Sequence, residues 1–318
     1  MCYSAQVEQE LKNLQEYYDC NIDWGSFEEL FALRLEDSSI KIGKALELNF
    51  LEPKTPVEIR IKALIDRYTA AKETEWQQVV FAQKKRLADA ERTLKTKETK
   101  KALNDQRIAT DKIEAHVRRL ADLKRTELRD RDERIFPYWY APIVVNYGKT
   151  RTLIAARYHC RPNGKPAFYD KKFDGLYNAR RDNLQKFWGE LFEHSHALMR
   201  IRSFWENVSL HKFEQRELKP GEKEQNLVLH FNPRPQQSMD VACLWSKWEA
   251  EGERPLLSFA AITDEPPEEI AKTGHDRVVI TVKPEYIDEW LGAASPADRY
   301  FHMFDDRYRP YFEHRKAA

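Results

Sequence analysis

The sequence has few of the residues on which several protein classes depend. It contains only four cysteines in 318 residues, at positions 2, 20, 160 and 243, and no CxxC pair. This scarcity argues against a secreted disulfide scaffold and against a structural zinc site. Neither a GxGxxG nor a GxxxxGK[ST] segment occurs, so the common nucleotide-binding folds are not supported.

The chain also lacks long apolar runs. None approaches the roughly 20 residues needed to span a bilayer, and the first ten residues do not have the basic start or apolar stretch of a signal peptide. Hydrophobic residues nevertheless make up 42% of the chain, which is enough to bury a core. We therefore expect a reduced, cytoplasmic protein, associated with the nucleoid if it is bacterial, and no membrane partner.

The net charge of +1 is the sum of two unlike regions. It argues against a histone-like polyanion binder but says nothing about local basic clefts. Residues 57–136 contain no glycine or proline and carry 21 basic against 15 acidic residues, or +6. The remainder carries 32 basic against 37 acidic residues, or −5.

The stretch without glycine and proline predicts a long helical hairpin. Thr55 followed by Pro56 is a typical helix start. The polar residues 95–106 predict a turn between two antiparallel helices of about 35–40 residues, because a single helix would measure about 120 Å. This defines an inserted, coiled-coil-like arm at 54–136 within a discontinuous domain, 1–53 and 137–318.

Two interpretations of this arm remain open. It is either a solvated helical arm without chemistry, or a region 57–136 that binds a protein partner or DNA through its basic clusters. These clusters are Lys84-Lys85-Arg86, Lys100-Lys101 and Arg118-Arg119.

The remaining sequence predicts an α+β fold with mainly antiparallel strands. Short amphipathic helices are expected at 7–18, 26–34, 183–193 and 284–291. Strands bounded by Gly, Pro or Asn are expected at 143–147, 152–158, 227–231, 241–245, 256–262 and 278–282.

Cys2 is the first candidate for chemistry. Removal of Met1 exposes an α-amine beside a thiol, and the pKa of such an amine, about 7.7–8.0, leaves a useful fraction neutral at pH 7. With an aldehyde, the amine can form an imine and the thiolate can then close a five-membered thiazolidine. Taken alone, Cys2 is more simply explained as the residue that happens to follow Met1.

Three later segments place polar residues where a core pattern favours apolar ones. They are 177–181 (YNARR), 203–207 (SFWEN) and 274–277 (GHDR). The carboxylate of Glu206 among aromatic residues suits proton transfer, although a cap, a salt bridge or a strand entry would each explain one segment. The pair His159 and Cys160 is not expected to form a dyad, because adjacent strand residues point to opposite faces.

The order of these segments resembles the SRAP family, the SOS-response-associated peptidases or abasic-site processing proteins. The resemblance lies in Met1-Cys2, Asn178-Ala179-Arg180, Phe204-Trp205-Glu206, His275-Asp276-Arg277 and a Pro284-Glu285…Trp290 helix. It covers roughly 1–20 and 138–292 and leaves out the arm. It implies an antiparallel sheet or barrel core with flanking helices, and chemistry without a metal or cofactor.

The resemblance also implies a function. Cys2 would attack the ring-opened aldehyde of an abasic site in single-stranded DNA and form a thiazolidine crosslink, with lyase-like chemistry and autocatalytic removal of Met1 as the peptidase reaction. Asn178 would position the Cys2 amine or the sugar, Glu206 would shuttle protons and His275 would stabilise or protonate the deoxyribose oxygen. The DNA-binding residues would be Arg180, Arg181, Arg277 and Tyr3.

The sequence departs from the family at its start, where Met-Cys-Gly-Arg becomes Met-Cys-Tyr-Ser. Ser4 removes an arginine that would touch DNA, while Tyr3 would either stack on a base or narrow the pocket. The residue after Glu206 is Asn207 in place of an aromatic. Two other functions are considered: a peptidase acting in trans, with Cys2 as nucleophile and His275 as base, and a non-enzymatic scaffold with a vestigial site.

Overall fold

The protein is described by a computed structural model covering residues 2–147, 150–292 and 297–317, with the backbone alone for residues 2, 3, 297 and 298. Within these ranges, no helix combines the length and the hydropathy required to cross a membrane.

The helices vary from single turns to a 41-residue element. They are α1 (Leu11–Tyr18), α2 (Trp24–Glu36), α3 (Lys44–Leu48), α4 (Pro56–Thr96), α5 (Lys100–Lys124), α6 (Tyr169–Lys172), α7 (Gly189–His194), α8 (Leu210–Phe213), α9 (Glu268–Ala271), α10 (Ile287–Gly292) and α11 (Phe301–Asp305). Short 3₁₀ turns occupy Asp130–Glu133, Arg181–Asn183, Pro284–Tyr286 and Ala297–Tyr300.

The strands belong to one sheet. They are β1 (Cys2–Val7), β2 (Asn21–Ile22), β3 (Lys41–Ile42), β4 (Arg134–Ile135), β5 (Trp139–Tyr147), β6 (Thr150–Tyr158), β7 (Asn178–Arg180), β8 (His196–Ser209), β9 (Asn226–Arg234), β10 (Met239–Trp248), β11 (Leu256–Asp264), β12 (Val278–Val279), β13 (Thr281–Val282) and β14 (Tyr311–Lys316).

Five of these strands close into a barrel. The pairing runs β10–β11–β6–β5–β8 and returns from β8 to β10. Only the β11–β6 contact is parallel; the other four are antiparallel. Alternate residues face inwards and form one apolar core, which includes Ile143, Ile154, Met199, Val241 and Phe259.

Strand β8 extends beyond the barrel. Its first half pairs with β5 and β10, whereas its second half, which carries Glu206, pairs with β1 on one side and β9 on the other. The apolar face continues along this second half through Phe204 and Val208, which pack with Phe231 and Phe312 in the same core. Glu206 is thus held between two strands, on a face that is otherwise apolar.

The chain divides into two compact units, an arm unit and a barrel unit. The arm unit comprises Phe31–Asp37 and Pro53–Glu127, and the barrel unit comprises Met1–Leu30, Ser38–Glu52 and Leu128–Ala318.

In the arm unit, α4 begins with a capping box. Thr55 Oγ1 accepts a hydrogen bond from the backbone N–H of Glu58, and the Glu58 carboxylate accepts one from the backbone N–H of Thr55.

The two long helices form an antiparallel hairpin. Arg86 pairs with Asp105 at 2.6 Å and Lys124 with Glu73 at 2.5 Å, so residue numbers rise along one helix as they fall along the other. The small residues Ala90, Ala102 and Ala109 are buried along these helices. The predicted α+β class with a barrel core and an inserted helical hairpin is confirmed.

Several predicted boundaries are wrong. Helix α5 ends at Lys124, far short of 136, because the backbone of Arg125 is extended. A separate 3₁₀ turn follows at Asp130–Glu133, and Asp132 Oδ2 accepts the backbone N–H of Arg129 there at 2.7 Å. Residue 7 ends a strand, and α1 starts only at Leu11. The helix predicted at 183–193 is a 3₁₀ turn followed by the short α7, which begins at Gly189.

Candidate active site

Strand β1 places the start of the chain beside β8. The backbone of Cys2 pairs with Glu206, and Ser4 pairs with Trp205, with an irregularity in register between the two pairs. Paired residues of antiparallel strands have Cα atoms about 4.5–5.5 Å apart, so the Cys2 backbone lies next to Glu206. The Met1 residue and the side chains of Cys2 and Tyr3 lie outside the described part of the chain.

Glu206 and His275 form a buried pair. The Glu206 side chain is fully buried, that of His275 is 5% exposed, and Glu206 Oε2 lies 3.3 Å from His275 Nε2. At this separation a protonated His275 would form an ion pair with the carboxylate, and a proton could pass between the two groups. A carboxylate and an imidazole together can both accept and supply protons.

A glycine allows His275 to reach this position. Gly274 has φ +85°, and a Cβ built there would lie 2.6 Å from Lys212 Cβ and 3.1 Å from the Lys212 carbonyl carbon. Lys212 is in α8, directly after β8. Only glycine combines this backbone conformation with so close an approach, and the contact brings the His275 loop against the end of the strand that carries Glu206.

Asn178 is positioned by β7. This three-residue strand pairs in parallel with β11, Asn178 opposite Ala261 and Arg180 opposite Thr263. The Asn178 side chain is buried, and neither its amide nitrogen nor its amide oxygen has a hydrogen-bond partner among the described residues. Because buried amides are normally satisfied, these two atoms are available to an incoming group.

Strand β11 also brings the predicted DNA-binding arginines Arg180 and Arg277 together. It pairs with β12 as well as with β7, and Thr263 is opposite both Arg180 and Val279. Arg180 Nη1 consequently lies 4.0 Å from Asp276 Oδ2, while Arg277 donates to both oxygens of Asp276, at 3.0 and 2.9 Å.

The Asp276 carboxylate therefore links two of the predicted DNA-binding side chains. The hydrogen bond from Arg277 holds the pKa of Asp276 well below its usual range. The same hydrogen bond raises the pKa of Arg277, and the charge of Glu206 contributes in the same direction. Arg277 is thus electrostatically coupled to the Glu206–His275 pair.

Arg181 points elsewhere. Its guanidinium donates to Asp264 at 3.1 Å and to Asp305 at 2.5 Å, and it lies 5.4 Å from the ring centre of Phe301. Burial lowers the pKa of Arg181, but these carboxylates more than offset that effect and the net shift is upward. We refer to Arg180, Asp276 and Arg277 as the Asp276 cluster; among the described side chains, the Arg181 guanidinium pairs with Asp264 and Asp305 and with no carboxylate of this cluster.

The cysteines other than Cys2 are poor nucleophiles. Cys20, Cys160 and Cys243 are buried free thiols. Burial raises the pKa of Cys20 to about 11 and that of Cys160 to about 12, and it raises the pKa of Cys243 further still. Because the thiolate is the nucleophile, these three contribute little to chemistry at neutral pH.

His159 is also unsuited to catalysis. It lies just beyond the end of β6, is fully buried, and stacks on Tyr138 with ring centres 4.2 Å apart. Burial lowers the pKa of His159 to about 4, and the charge of Arg157 adds to this effect. The imidazole is therefore neutral at pH 7.

Sequence reasoning missed a cation beside residue 4. Arg134 in β4 donates from Nε to Ser4 Oγ at 2.9 Å, and its guanidinium lies 4.1 Å from the ring centre of Trp205. The positive charge that Ser4 lacks is thus present beside it, supplied by another strand. A residue 130 positions away gives no local signal of this contact.

A second missed feature is an exposed aromatic segment just before β7. The rings of Phe168 and Phe173 are 58% and 39% exposed, and Lys171 and Lys172 lie between them in the sequence. The segment is anchored by buried Asp170, which binds two arginines at 2.8 and 2.5 Å. The alternation of aromatic and basic residues in AFYDKKF could have predicted it.

The arrangement can thus perform acid–base chemistry beside the backbone of Cys2. Glu206 and His275 supply a proton acceptor and donor, Asn178 offers an unsatisfied amide, and Arg180 and Arg277 supply positive charge. Across the described ranges, no group of three or more His, Cys, Asp or Glu side chains is arranged to hold a metal ion.

A family model for SOS response associated peptidase (SRAP) matches residues 92–313. This is more than two thirds of the chain, and the protein therefore belongs to the SRAP family. The matched range contains Asn178, Glu206 and His275; it begins within α4, so Cys2 precedes it. None of the curated proteins compared with the chain matches it.

Three solved structures overlap with 58% of this chain. A protein from Bordetella bronchiseptica is 13% identical, with 87% of its own chain covered and a TM-score of 0.45. One from Bacteroides thetaiotaomicron is 10% identical, with 77% covered and a TM-score of 0.46. A phage-related protein from B. bronchiseptica is 15% identical, with 80% covered and a TM-score of 0.43. At these scores the family assignment rests on the family model alone.

Proposed function

We propose that the protein binds single-stranded DNA at an abasic site and, after loss of Met1, forms a thiazolidine crosslink through Cys2. Such a crosslink would protect the lesion during the DNA damage response, in keeping with the SOS association in the family's name. The reaction needs no metal or organic cofactor, because each step is an addition, an elimination or a proton transfer.

One observation supports this proposal most strongly. The backbone of Cys2 pairs with Glu206, whose buried carboxylate lies 3.3 Å from His275. An N-terminal amine and thiol would therefore be formed next to a proton acceptor and a proton donor. A buried carboxylate–imidazole pair contributes little net stability, so its place beside Cys2 favours a chemical role.

The chemistry follows from the groups present. Opening the sugar breaks its C1′–O4′ bond; Glu206 removes the proton of the C1′ hydroxyl and His275 donates one to O4′. The Cys2 amine then adds to the aldehyde carbon, and water leaves as the imine forms. Finally Sγ bonds to the same carbon while the thiol proton moves to nitrogen, which closes the ring.

The surrounding side chains would hold the DNA. The Asn178 amide would orient the Cys2 amine or the sugar, because its donor and acceptor atoms have no other described partner. Arg180 and Arg277 would bind phosphates, and Tyr3 would stack on a base, which is worth about 1–3 kcal/mol in single-strand binders. Arg181 would act only indirectly, since both its carboxylate partners lie outside the Asp276 cluster.

The peptidase activity would be removal of Met1 by the protein itself. Hydrolysis of the Met1–Cys2 bond consumes one water and releases methionine, and Glu206 and His275 can supply the proton transfers it requires. The imine also accounts for lyase-like activity, because it makes the neighbouring hydrogen of the sugar acidic enough for elimination of the 3′ phosphate.

The test is an adduct assay on a denaturing gel. Wild type, Cys2→Ala and the control Cys20→Ala are incubated with single-stranded oligonucleotides with and without an abasic site. We expect an SDS-stable adduct from wild type and Cys20→Ala on abasic DNA alone, and none from Cys2→Ala. An unchanged adduct with Cys2→Ala would overturn the mechanism.

Two alternative functions give different results. A peptidase acting in trans would cleave an added peptide in a Cys2- and His275-dependent manner without requiring abasic DNA. A scaffold with a vestigial site would retain Met1, because a blocked amine cannot form the ring. The intact mass of the purified protein distinguishes this last case directly.

A further inference from the structure

The end of the helical hairpin has an unusual concentration of positive charge. We define residues 84–105 as the arm tip: the last turns of α4, the turn at 97–99 and the first turns of α5. It contains eight basic and four acidic residues. Six of the basic residues are lysines, all of them exposed: Lys84, Lys85, Lys95, Lys97, Lys100 and Lys101.

These lysines are not neutralised. Within the parts of the arm that the structure describes, none of the six makes an ion pair; the pairs of the arm tip are Arg86–Asp105 and Arg92–Asp89. The first turn of α5, which carries Lys100 and Lys101, has no acidic residue.

The rest of the hairpin is different. Residues 56–83 and 106–124 carry nine basic and seven acidic residues. Three of the four lysines there are ion-paired: Lys62 with Asp66, Lys72 with Glu75 and Lys124 with Glu73. Among the described residues, the tip lysines make no pairs of this kind, which indicates that their charge is not needed for helix stability.

The surface between the helix ends is polar. A groove of about 540 Å³ is lined by charged and hydroxyl side chains together with three alanines. Its polar lining comprises Lys85, Arg86, Thr93, Thr99, Lys101 and two aspartates, Asp89 and Asp105, which pair with Arg92 and Arg86. Lys85, Arg86 and Lys101 offer donors to phosphate oxygens within this groove.

The absence of an apolar face selects the partner. A helix that lies on a membrane needs a continuous apolar face, and protein interfaces usually rely on buried aromatic anchors. Leu103 is the only large hydrophobic side chain exposed in the arm tip, whose residues are all described. Dense positive charge without such a face is typical of phosphate-backbone binding.

We propose that the arm tip binds the phosphate backbone of DNA without regard to sequence, as a second contact independent of the Asp276 cluster. The choice of DNA among nucleic acids rests on the proposed function. The tip would raise the local concentration of protein on single strands, and the barrel would act only where an aldehyde is present.

The test measures affinity for an unmodified single-stranded oligonucleotide over a range of salt concentrations. The tip variant is Lys84→Gln, Lys85→Gln, Lys100→Gln and Lys101→Gln combined. The matched control removes the same charge from the rest of the arm: Lys62→Gln, Lys72→Gln, Lys112→Gln and Lys124→Gln. Glutamine is a good helix former, and circular dichroism checks that both variants keep their helicity.

Affinity for DNA decreases as salt increases, and we expect this dependence to be weaker in the tip variant. The magnitude of the slope of log affinity against log salt should decrease by about 2–3, since each lost phosphate contact removes about 0.7 on a single strand. The control should lose less than about 1 on the same scale. Lys→Arg at the same four tip positions should preserve the wild-type slope, because it preserves the charge. Equal slopes in tip variant and wild type, or equal losses in both glutamine variants, would overturn the proposal.

Two further measurements separate related outcomes. Binding of wild type to phosphatidylserine vesicles, combined with an unchanged DNA slope in the tip variant, would assign the charge to a membrane and overturn the proposal. The oligonucleotide has no abasic site, so failure of wild type to form an adduct elsewhere would sink the proposed function but leave this test valid.

Discussion

The barrel and the arm carry their positive charge in opposite ways. In the barrel, Arg180, Arg181 and Arg277 are all held by carboxylates from nearby loops and strands. At the arm tip, six exposed lysines have no such partners among the described residues. A phosphate therefore competes with carboxylates for the barrel arginines, whereas the tip lysines have no such competitor in the described parts of the chain.

This difference suggests two kinds of recognition in one chain. Exchange of one anion for another depends strongly on geometry, because both must fit the same donors. Free lysines respond to charge density alone. The net charge of +1 hides this division, because the arm's excess of positive charge cancels the deficit of the barrel unit.

The largest expected difference between the barrel and the arm tip is at Glu206, where replacing one carboxylate oxygen should change the rate of adduct formation. We expect Glu206→Gln to slow adduct formation by about 10²–10⁴-fold, because the amide keeps the size of the side chain but cannot accept a proton. The rate is measured on denaturing gels with abasic single strands. A single lysine-to-glutamine change at the arm tip should alter it by much less.

Glu133→Gln is the matched control for this variant. Glu133 is another buried glutamate, 4% exposed, and it pairs with Arg202, not with a histidine. The rate per folded protein should stay close to wild type. If both variants slow the reaction equally, Glu206 acts through the fold and not through its proton.

Gly274 tests how far the barrel site depends on backbone geometry. An alanine there would adopt an unfavourable φ and meet Lys212 at 2.6 Å. We expect Gly274→Ala to lower the free energy of unfolding by about 2–4 kcal/mol. Adduct formation should fall as well, since His275 is displaced. Urea unfolding and the adduct gel provide the two measurements.

Gly252 provides the control that separates the cost of an unfavourable φ from the cost of the clash with Lys212. It also has positive φ, +73°, but a Cβ there would have no atom within 4 Å. Gly252→Ala should therefore cost only about 1–2 kcal/mol and leave the adduct rate unchanged. Equal destabilisation by both alanines would show that the approach to Lys212 carries no weight.

The smallest expected effect concerns Asp276. If its carboxylate occupies the place of a phosphate between Arg180 and Arg277, Asp276→Asn should tighten binding to unmodified single-stranded DNA a few-fold. The salt slope should steepen by about 0.7, the value of one additional phosphate contact. Fluorescence anisotropy at several salt concentrations measures both quantities.

Glu313→Gln removes an equally exposed carboxylate, paired with Arg234, and serves as the control. Binding to DNA should be unaffected. Weaker binding by Asp276→Asn would mean that Asp276 orients Arg277 and does not compete with DNA. The contrast between ion-paired barrel arginines and unpaired tip lysines would then describe the distribution of charge but would not explain how DNA is bound.

The arm was the most predictable part of the fold. Thr55, Pro56 and Glu58 form the start expected from local chemistry, because a capping box involves neighbouring residues alone. Its end was not predictable from glycine and proline. The backbone becomes extended at Arg125, inside a stretch as charged as the helix itself.

Strands β1 and β8 were harder to predict. Strand β8 contains Arg200, Arg202, Ser203 and Glu206, and its outward polar residues are stabilised by partners far away in the sequence, such as Asp240 and Glu8. The alternation of apolar and polar residues within one strand does not indicate which distant residues will pair with its polar side chains. Six predicted strand regions nevertheless coincide with β5, β6, β9, β10, β11 and the β12–β13 region.

The sequence predicted which residues belong to the candidate site, but not which of them contact one another. The adjacency of Glu206 and His275 depends on Gly274 approaching Lys212, and the Asp276 cluster depends on β7 and β12 flanking the same strand. Both are tertiary facts without a local signal. The roles predicted for Cys2, Asn178, Glu206 and His275 remain predictions for the adduct assay.

The number of residues in strand β1 determines which residue of β8 lies opposite Cys2. Ala5 and Val7 are anchored in the core, and Cys2 lies opposite Glu206 only because it stands three residues before Ala5. One residue inserted between positions 2 and 5 would carry Cys2 past Glu206 and turn alternate side chains to the other face. The spacing within this strand is therefore as restrictive as the identity of the cysteine.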